Sequence, residues 1–322
     1  MITIETVAKT LKAANHIAVF CHIRPDGDAV GASLAVKGIL ESLGKSVSLF
    51  CADPVPEKFA CAGDLSAFSA ENGDFSAFDL FLALDCADEA RIGSFSYLFG
   101  KKKNTVLVDH HVSNTRYAAL SYVEDVAATC QIVYKLAVAM GVPVTKKIAD
   151  ALFVGLSTDT GHFAHQNVTA ETFSVASALT LAGADPHRVS QEMFKRQSAI
   201  RAKLYAEVMG KMRFYEGGKI ALISVSKEQM ERYGASQDMT EGFIDFPLSV
   251  DGVEIAVSMM QVAKQSFKVS FRSKGKADVN ALAATFGGGG HVLASGCMVN
   301  GFFEDVEEKL VFRAAPYVET EA

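Results

Sequence analysis

The sequence predicts an α/β protein in which a parallel-sheet domain with helices on both faces is followed by a connector helix and a smaller α/β domain. Three observations lead to this fold class. Up to residue 187, short apolar runs alternate with segments of helical periodicity, which is typical of a parallel sheet covered on both faces. Residues 188–212 have the polar–apolar pattern of one long connecting helix. In residues 213–322 the apolar positions recur with period two, which indicates a mixed or antiparallel sheet.

The predicted strands of the first domain, residues 1–187, are short and apolar throughout, as strands buried on both faces should be. They are residues 17–20, 47–50, 80–84 and 105–108. A segment of helical periodicity, residues 30–43, separates the first two strands and stops at a glycine. The apolar segments 136–141 and 148–156 continue the alternation, and a helical segment follows at 174–182.

The smaller domain is predicted from three runs of alternating polarity, which we interpret as antiparallel strands. They are residues 219–226, 253–261 and 266–273, and a tight turn at 262–265 joins the last two. A run of four glycines between Phe286 and His291 follows, and residues 297–300 form a last short strand.

Charge and length limit the partners of the chain. The 322 residues suggest about two domains. With 31 Lys and Arg against 37 Asp and Glu, the net charge is −6, whereas a protein that binds duplex DNA is usually basic. We therefore expect no duplex DNA partner, and positive charge for any phosphate substrate must come from metals or from a small patch.

The six cysteines form no CxxC pair and no dense framework, so we expect free thiols and a reducing compartment. The first twenty residues lack the long apolar core of a signal peptide. No uninterrupted apolar stretch reaches the length of about 18 residues that a membrane span requires. The sequence therefore predicts a cytoplasmic protein without a membrane partner.

Acidic and imidazole side chains follow the predicted strands at the point where each ends. They are His22, Asp26 and Asp28; then Asp85; then Asp109, His110 and His111; and finally Asp159, after the run 148–156. Because ligands bind outside the carboxyl ends of the strands in open parallel sheets, we expect these four segments to converge in one crevice.

Charge neutralisation predicts a metal site in this crevice. Four buried aspartates would repel one another, and their pKa values would rise until some became protonated. Two divalent cations balance the four negative charges, and the two histidines His22 and His110 complete a nitrogen and oxygen ligand set. Such a set suits Mn²⁺ best, with Mg²⁺, Co²⁺ or Fe²⁺ as alternatives. Asp53 and Asp88 are interpreted as ordinary loop residues.

The second domain contains a candidate substrate-binding region. Five basic residues occur without an intervening acid: Lys264, Lys268, Arg272, Lys274 and Lys276. We interpret the lysines as a solvated strand edge, whereas the forked guanidinium of Arg272 is suited to phosphate. The glycine run allows backbone N–H groups to approach an anion closely. We assign to substrate binding Arg272, Ser273, Gly288, Gly289, Gly290 and His291.

The order of these motifs resembles that of the DHH phosphoesterase superfamily. The motifs are HIRPDGDA at 22–29, the Asp85 segment, DHH at 109–111 and STDTG at 157–161, and GGGGHVLASG at 287–296 resembles the associated DHHA1 domain. The resemblance extends from about residue 17 to 299. Within the superfamily, the two-domain layout is most similar to the bacterial nano-RNases, which are bifunctional oligoribonucleases and 3′-phosphoadenosine-5′-phosphate (PAP) phosphatases.

The resemblance implies a role for each motif residue. One metal would bind His22, Asp26 and Asp85. The second would bind Asp28, Asp85, His110 and Asp159, with Asp85 bridging. Asp109 would orient His110, and His111 would face the substrate. The sequence departs from the family pattern at His162 and His165, where a small residue and an aromatic residue are expected; we assign them no role.

The resemblance implies an enzyme that degrades short RNA to mononucleotides and removes the 3′-phosphate of PAP. The main alternative is a soluble phosphodiesterase for cyclic dinucleotides or for their linear products pApA and pGpG. A pyrophosphatase is disfavoured by the GGGGH ending, a RecJ-like exonuclease by the short basic patch, and a regulator with a vestigial site by the complete ligand set. We expect the substrate to bridge the two domains. The apolar helix face at 132–140 belongs either to the core or to a homodimer interface.

Overall fold

The computed structural model describes residues 2–71 and 73–318. The chain forms two compact units that divide between Arg196 and Gln197. The first unit contains a six-stranded parallel sheet with the strand order β3-β2-β1-β4-β5-β6. Its strands are β1 (His16–Phe20), β2 (Ser46–Phe50), β3 (Phe68–Ser69), β4 (Leu80–Leu84), β5 (Thr105–Asp109) and β6 (Leu120–Val123).

Seven helices accompany this sheet. They are α1 (Ile4–Ala13), α2 (Gly27–Ser42), α3 (Ser96–Lys101), α4 (Thr129–Met140), α5 (Lys146–Asp159), α6 (Ala170–Leu181) and α7 (Pro186–Val189). The strand order reverses between β1 and β4, which lie side by side with Ile17 opposite Leu80. A crevice opens at such a reversal, because the connections from the two strands leave in opposite directions. The loops that follow β1 and β4 are therefore placed to form a site.

Three helices of the first unit meet at unusually short range. A Cβ added to Gly31 of α2 would lie 2.3 Å from the carbonyl oxygen of Ala151 in α5. At Gly155 of α5, an added Cβ would lie 2.3 Å from Cys130 Sγ of α4 and 2.7 Å from Asp28 Oδ1 of α2. Glycine is thus required at both positions for the helix backbones to approach one another.

The second unit contains a six-stranded mixed sheet with the order β11-β12-β10-β9-β8-β7. Its strands are β7 (Arg213–Tyr215), β8 (Ile220–Val225), β9 (Ile255–Ala263), β10 (Ser266–Ser273), β11 (Gly289–His291) and β12 (Ala294–Asn300). Its helices are α8 (Ala199–Gly210), α9 (Lys227–Tyr233), α10 (Asp245–Ser249), α11 (Val279–Ala284) and α12 (Phe303–Ala314). The predicted hairpin is present as β9 and β10, with Phe271 opposite Val257.

One strand pair of the second unit differs from the prediction. We interpreted residues 219–226 and 253–261 as antiparallel strands of a mixed or antiparallel sheet, but β8 and β9 are parallel, with Ile220 opposite Ile255. Helices α9 and α10 lie between them in the chain. This connection brings the chain back to the level at which β8 begins, so that β9 runs in the same direction as β8. Alternating polarity reports which residues face the core and carries no information on strand direction.

The predicted connector helix at 188–212 is not continuous. Helix α7 passes into a π-helical turn at Ser190–Lys195, and the backbone becomes extended at Arg196, with φ −75° and ψ 122°. Helix α8 then begins at Ala199, where the side chain of Ser198 accepts the backbone N–H of Arg201. A serine cap of this kind starts a new helix. The prediction, which relied on periodicity alone, therefore merged two separate elements into one helix.

Other predicted features are located as follows. The run 148–156 belongs to α5 and is not a strand, and strands β3 and β6 were not predicted. On the face 132–140, the residues Ile132, Val133, Leu136 and Met140 are buried in the core of the first unit, so these four side chains serve the core. All six cysteines are free and buried. Among the described residues, no helix has both the length and the apolar character needed to cross a membrane.

Candidate metal centre

The loop after β1 carries three of the predicted ligands. His22 is buried at its start. Asp26 caps α2, since its Oδ1 accepts the backbone N–H groups of Asp28 (3.1 Å) and Ala29 (3.0 Å). Asp28 lies in the first turn of α2 and is fully buried. A helix N-terminus stabilises negative charge, so the backbone itself favours carboxylates at this position.

Asp85 follows β4 and has a left-handed backbone conformation, with φ +57°. A non-glycine residue in this region is strained by roughly 1–3 kcal/mol and persists only where its surroundings impose it. Its backbone N–H donates to the carbonyl of Val108 (3.1 Å) on the neighbouring strand. This strained residue is the one whose carboxylate contacts both His22 and His110.

The predicted ligands form two groups that meet at Asp85. In the first group, His22 Nε2 lies 3.5 Å from Asp26 Oδ2 and 3.6 Å from Asp85 Oδ2. In the second group, His110 Nε2 lies 3.2 Å from Asp159 Oδ2 and 3.6 Å from Asp85 Oδ1.

One ligand atom from each of Asp28, His110 and Asp159 lies within 4.8 Å of the others. Asp85 thus directs one carboxylate oxygen to each group. The structure brings together all six residues: His22, Asp26, Asp28, Asp85, His110 and Asp159. Asp159 reaches the site from the last residue of α5 rather than from a strand end, because the apolar run before it is helical.

Backbone carbonyls orient both ligand histidines. Nδ1 of His22 lies 2.8 Å from the carbonyl oxygen of Ile23, and Nδ1 of His110 lies 3.1 Å from that of Val126. A carbonyl can only accept, so the ring of His110 donates from Nδ1 and directs Nε2 toward the carboxylates, as metal-binding histidines commonly do. Nδ1 of His22 faces two groups of opposite character, the accepting carbonyl of Ile23 and the donating Nη2 of Arg91 at 3.0 Å, and in both cases Nε2 is the atom that faces the carboxylates.

The pKa values show how strongly the site demands positive charge. Burial raises the pKa of Asp28 well above its usual value, and the charges of Asp85 and Asp159 add to this effect. Burial also raises the pKa of Asp159, to about 6. For His22, burial opposes protonation, but hydrogen bonds with Asp26 and Asp85 raise its pKa to about 10.

His110 behaves in the same way as His22. Burial disfavours its charged form, yet the hydrogen bond with Asp159 and the charges of Asp28 and Asp85 raise its pKa to about 10. In the metal-free protein, protons therefore neutralise the carboxylates of the cluster. Divalent cations would take the place of these protons, since metal ligation requires the deprotonated ring. The donor set and its charge fit two divalent cations.

Asp109 and His111 form a pair beside the ligand groups. Asp109 Oδ1 lies 2.8 Å from His111 Nδ1 and accepts the backbone N–H of His110 at 2.9 Å. We expected Asp109 to orient the ring of His110, but it orients the ring of His111. The side chain of His111 points back toward Asp109, whereas the ring of His110 is hydrogen-bonded to the carbonyl of Val126. The hydrogen bond that His111 donates to Asp109 raises the pKa of His111. The side chain of His111 is one-third exposed, at 33%.

Comparison with known proteins identifies the family. The model of the DHH family, N-terminal domain, matches residues 16–156, and that of the DHHA1 domain matches residues 206–318. The bifunctional oligoribonuclease and PAP phosphatase NrnA of Thermus thermophilus is 31% identical over 311 residues, which cover 96% of this chain and 92% of the relative. The chain belongs to the DHH family. It is a hydrolase that acts on phosphoester bonds.

Two further relatives of this DHH-family protein agree with the assignment. The protein of the same name from Bacillus subtilis is 24% identical over 295 residues, which cover 90% of this chain and 91% of the relative. The crystal structure of an exopolyphosphatase-related protein from Bacteroides fragilis has a TM-score of 0.87 and 26% identity, and the match covers 98% and 97% of the two chains. The predicted fold class and the predicted family are confirmed.

In the DHHA1 unit, part of the glycine run, which we expected to let backbone N–H groups approach an anion, lies in a strand. Gly289–His291 form β11, which pairs with β12. A Cβ added to Gly288 would lie 2.2 Å from the carbonyl oxygen of Gly296. Glycine is therefore required there for two backbones to pass each other, while Gly289, Gly290 and His291 remain exposed.

Ser273 does not have the surroundings of a substrate-binding residue. It is buried, its hydroxyl donates to Glu254 Oε1 (3.1 Å), and it accepts the backbone N–H groups of Gly275 (3.0 Å) and Ala277 (3.2 Å). Its hydrogen bonds shape the turn after β10. The half-buried Arg272 donates from Nη1 to the carbonyl of Phe271 (3.1 Å).

The lysines of the DHHA1 unit do not mark a sheet edge. Strand β10, which carries Lys268, lies between β9 and β12 and is an interior strand of its sheet. Lys268 is exposed on one face of that sheet, so our interpretation as a strand edge was wrong for this residue. Alternating polarity identifies the exposed face of a strand but not its place in the sheet order.

Four other residues behave as structural groups. Asp53 accepts the backbone N–H of Arg24 (2.8 Å), and Asp88 caps a short helical turn. His162 Nδ1 lies 2.9 Å from Ser157 Oγ, with its ring 4.9 Å from that of Phe194. His165 Nδ1 lies 3.3 Å from the carbonyl oxygen of Asp159.

Asn114 and Arg91 are among the residues of the site that the sequence reasoning missed. Asn114 donates to Asp109 Oδ2 at 2.5 Å, and Arg91 lies beside His22. Neither belongs to a recognisable motif, and each reaches its partner only because the chain folds back toward the strand ends.

Proposed function

We propose that this DHH-family hydrolase cleaves short oligoribonucleotides to mononucleotides and removes the 3′-phosphate of PAP, with two divalent cations, preferably Mn²⁺, bound in the cluster. The observation that carries the proposal is the pair of ligand groups that share Asp85. The substrate class is supported by the similarity, over 96% of the chain, to a relative named for these two activities.

The chain's own residues define where each cation would bind. His22, Asp26 and Asp85 would hold one cation, and Asp28, Asp85, His110 and Asp159 the other. The carbonyls of Ile23 and Val126 keep the Nε2 atoms of the two histidines directed at these positions. Bound cations at such a site supply charge to stabilise phosphoryl oxygens and lower the pKa of water. Nitrogen and oxygen donors without thiolate favour Mn²⁺ or Mg²⁺ over softer metals.

His111 is proposed as the group that moves a proton. Asp109 holds its Nδ1, so Nε2 is the atom available to a substrate. The hydrogen bond to Asp109 raises the pKa of His111 and so favours the protonated ring. This proton could be donated to the leaving ribose oxygen as the phosphoester bond breaks. Asn114 and the backbone N–H of His110 fix Asp109, so the imidazole is aimed before the substrate binds.

The DHHA1 unit is proposed to hold a second part of the substrate. Arg272 and His291 are suited to phosphate, and the exposed Gly289 and Gly290 leave the backbone accessible beside them. Ser273 is not included, because its hydroxyl is already bonded to Glu254 and to the following turn.

A substrate panel tests the proposal. The purified protein with Mn²⁺ is offered pApA, pGpG, a five-nucleotide RNA, PAP and pyrophosphate, and the products are quantified by chromatography. We expect mononucleotides from the RNA and phosphate from PAP, with both activities abolished in Asp85→Asn and His110→Ala. Rapid cleavage of pyrophosphate without turnover of any nucleotide would overturn the proposal. Turnover confined to pApA or pGpG would instead favour the dinucleotide phosphodiesterase.

A further inference from the structure

The segment 126–130, between β6 and the first turn of α4, provides no proposed ligand but contacts several of them. The carbonyl of Val126 accepts from His110 Nδ1 (3.1 Å). The backbone N–H groups of Thr129 and Cys130 donate to the two carboxylate oxygens of Asp28, at 2.6 and 2.9 Å. Both oxygens of a fully buried carboxylate are thus held by the N-terminus of one helix.

Thr129 makes a further contact through its side chain. Its hydroxyl donates to Asp85 Oδ1 at 3.0 Å, and the residue is fully buried. This is the oxygen that faces His110 at 3.6 Å, whereas Oδ2 faces His22. Thr129 therefore contacts two carboxylates at once, Asp28 through its backbone and Asp85 through its hydroxyl.

The hydroxyl has a specific task because its contact with Asp85 Oδ1, at 3.0 Å, is shorter than the contacts of the two histidines with this carboxylate, which are 3.6 Å. The terminal torsion of an aspartate is broad, so the position of Asp85 does not by itself fix where its two oxygens point. A hydrogen bond to Oδ1 fixes the carboxylate plane and keeps one oxygen on each ligand group. Without it, Oδ1 can turn away from His110, while the backbone contacts to Asp28 stay intact.

We propose that Thr129 is a positioning residue that orients the shared carboxylate of Asp85 toward the group of Asp28, His110 and Asp159, and so determines how tightly the second cation is held. The inference rests on the two-cation site proposed above. Loss of a residue that orients a metal ligand typically lowers metal affinity by about 10–100-fold. We expect a loss of this size at one cation position, with little change at the position of His22 and Asp26.

Manganese titration of the metal-free protein provides the test. Free Mn²⁺ is followed by electron paramagnetic resonance, which gives the number of bound ions and their separate affinities. We expect two ions per chain in the wild type. In Thr129→Val we expect one ion bound as before and the other about 10–100-fold more weakly, and in Thr129→Ser we expect both restored. Ser33→Ala serves as a matched control, since it deletes a buried hydroxyl that donates to the carbonyl of Ala29 (2.7 Å).

The outcomes separate the two proposals. A wild type that binds no Mn²⁺ would refute the two-cation site itself. If the wild type binds two ions and Thr129→Val binds both equally well, the role of Thr129 is refuted while the site stands. Should Thr129→Val fail to fold by circular dichroism, Thr129→Ala deletes the same hydroxyl and is compared with Thr129→Ser. Equal affinities of the Ala and Ser variants would overturn the inference.

Discussion

At the scale of single residues, this site contains three imidazole rings whose Nδ1 atoms already have hydrogen-bond partners within the protein. Nδ1 of His22 and Nδ1 of His110, the two proposed ligand histidines, each lie at hydrogen-bond distance from a carbonyl, and Nδ1 of His111 is bonded to Asp109. The three rings are therefore oriented before a cation or a substrate arrives. Pre-orientation of this kind reduces the entropy lost when the reacting groups are brought together.

Replacing His111 tests its proposed role as a proton donor. We expect His111→Ala to lower kcat on a dinucleotide by about 10²–10⁴-fold, the usual contribution of a positioned acid. With a p-nitrophenyl phosphodiester, whose leaving group needs no proton, we expect a much smaller loss. The measurement is kcat for both substrates at saturating Mn²⁺. Equal losses on both substrates would contradict the role as acid. Asn114→Ala, which leaves the ring in place, should show a weaker form of the same pattern.

The histidine pKa values predict proton release on metal binding. In the metal-free protein the pKa values of His22 and His110 are raised to about 10, so both rings hold their extra proton at pH 7. Since a cation must displace these protons, its apparent affinity should rise as the pH increases toward 10. Calorimetric titration with Mn²⁺ in two buffers of different ionisation enthalpy measures the released protons. A binding enthalpy that is the same in both buffers would be inconsistent with this expectation.

The same pKa values predict how His22 and His110 contribute to the pH dependence of the free energy of unfolding of the metal-free protein. A group whose pKa is raised by folding stabilises the folded state fully below its unfolded value, about 6.5 for histidine. This contribution is lost as the pH rises through the folded value, about 10 for His22 and His110.

At the scale of elements, the site depends on helices that approach one another where glycine replaces a side chain. Gly155 of α5 faces both Cys130 of α4 and Asp28 of α2. These two helices carry the proposed ligand Asp28 and the N–H groups that hold it. The distance between the helices therefore sets the position of a ligand, and not only the packing of the core.

Gly155→Ala should consequently affect both stability and metal binding. The added methyl group would lie 2.3 Å from Cys130 Sγ and 2.7 Å from Asp28 Oδ1, so the helices must separate. Overpacking of this kind costs about 1–3 kcal/mol of unfolding free energy. Urea denaturation and Mn²⁺ titration measure the two effects. Gly210→Ala is the control, because it lies in a helix with nothing within 4 Å of the added Cβ. Wild-type stability and Mn²⁺ affinity in Gly155→Ala would contradict the packing argument.

At the scale of the whole molecule, the two units contribute different chemistry. All six proposed ligands belong to the first unit, and the proposed phosphate-binding residues Arg272 and His291 belong to the second. Ligand binding stabilises the parts of a protein that it contacts. The effects of metal and of substrate should therefore be separable along the chain.

Hydrogen exchange followed by mass spectrometry provides this separation. Adding Mn²⁺ to the metal-free protein should slow exchange in the segments that surround the cluster, and strands β9–β12 should be unchanged. The affected segments are residues 21–29, 85–91, 109–114, 126–130 and 157–161. Slower exchange in β9–β12 with no change in these five segments would place the metal elsewhere.

The sequence by itself determined the class of the fold and which acidic and imidazole residues of the first unit lie close together. Strands β1, β2, β4 and β5 were predicted within one residue at each end, because uniformly apolar runs are a local property of strands buried on both faces. Polar residues directly after such runs must lie at the carboxyl ends of the parallel strands. For this reason His22, Asp26, Asp28, Asp85 and His110 could be assigned to one crevice.

Only the tertiary structure decided which atoms hold each ligand and which way the later elements run. An apolar run of nine residues fits a buried strand or a buried helix equally well, so packing determined that Asp159 ends a helix. Packing likewise determined that β8 and β9 are parallel. The partners of Asp28, Asp85 and His110 lie 101, 44 and 16 residues away along the chain. Hydrogen bonds over such separations leave no local pattern in the sequence, because they form only after the sheet has brought the strand ends together.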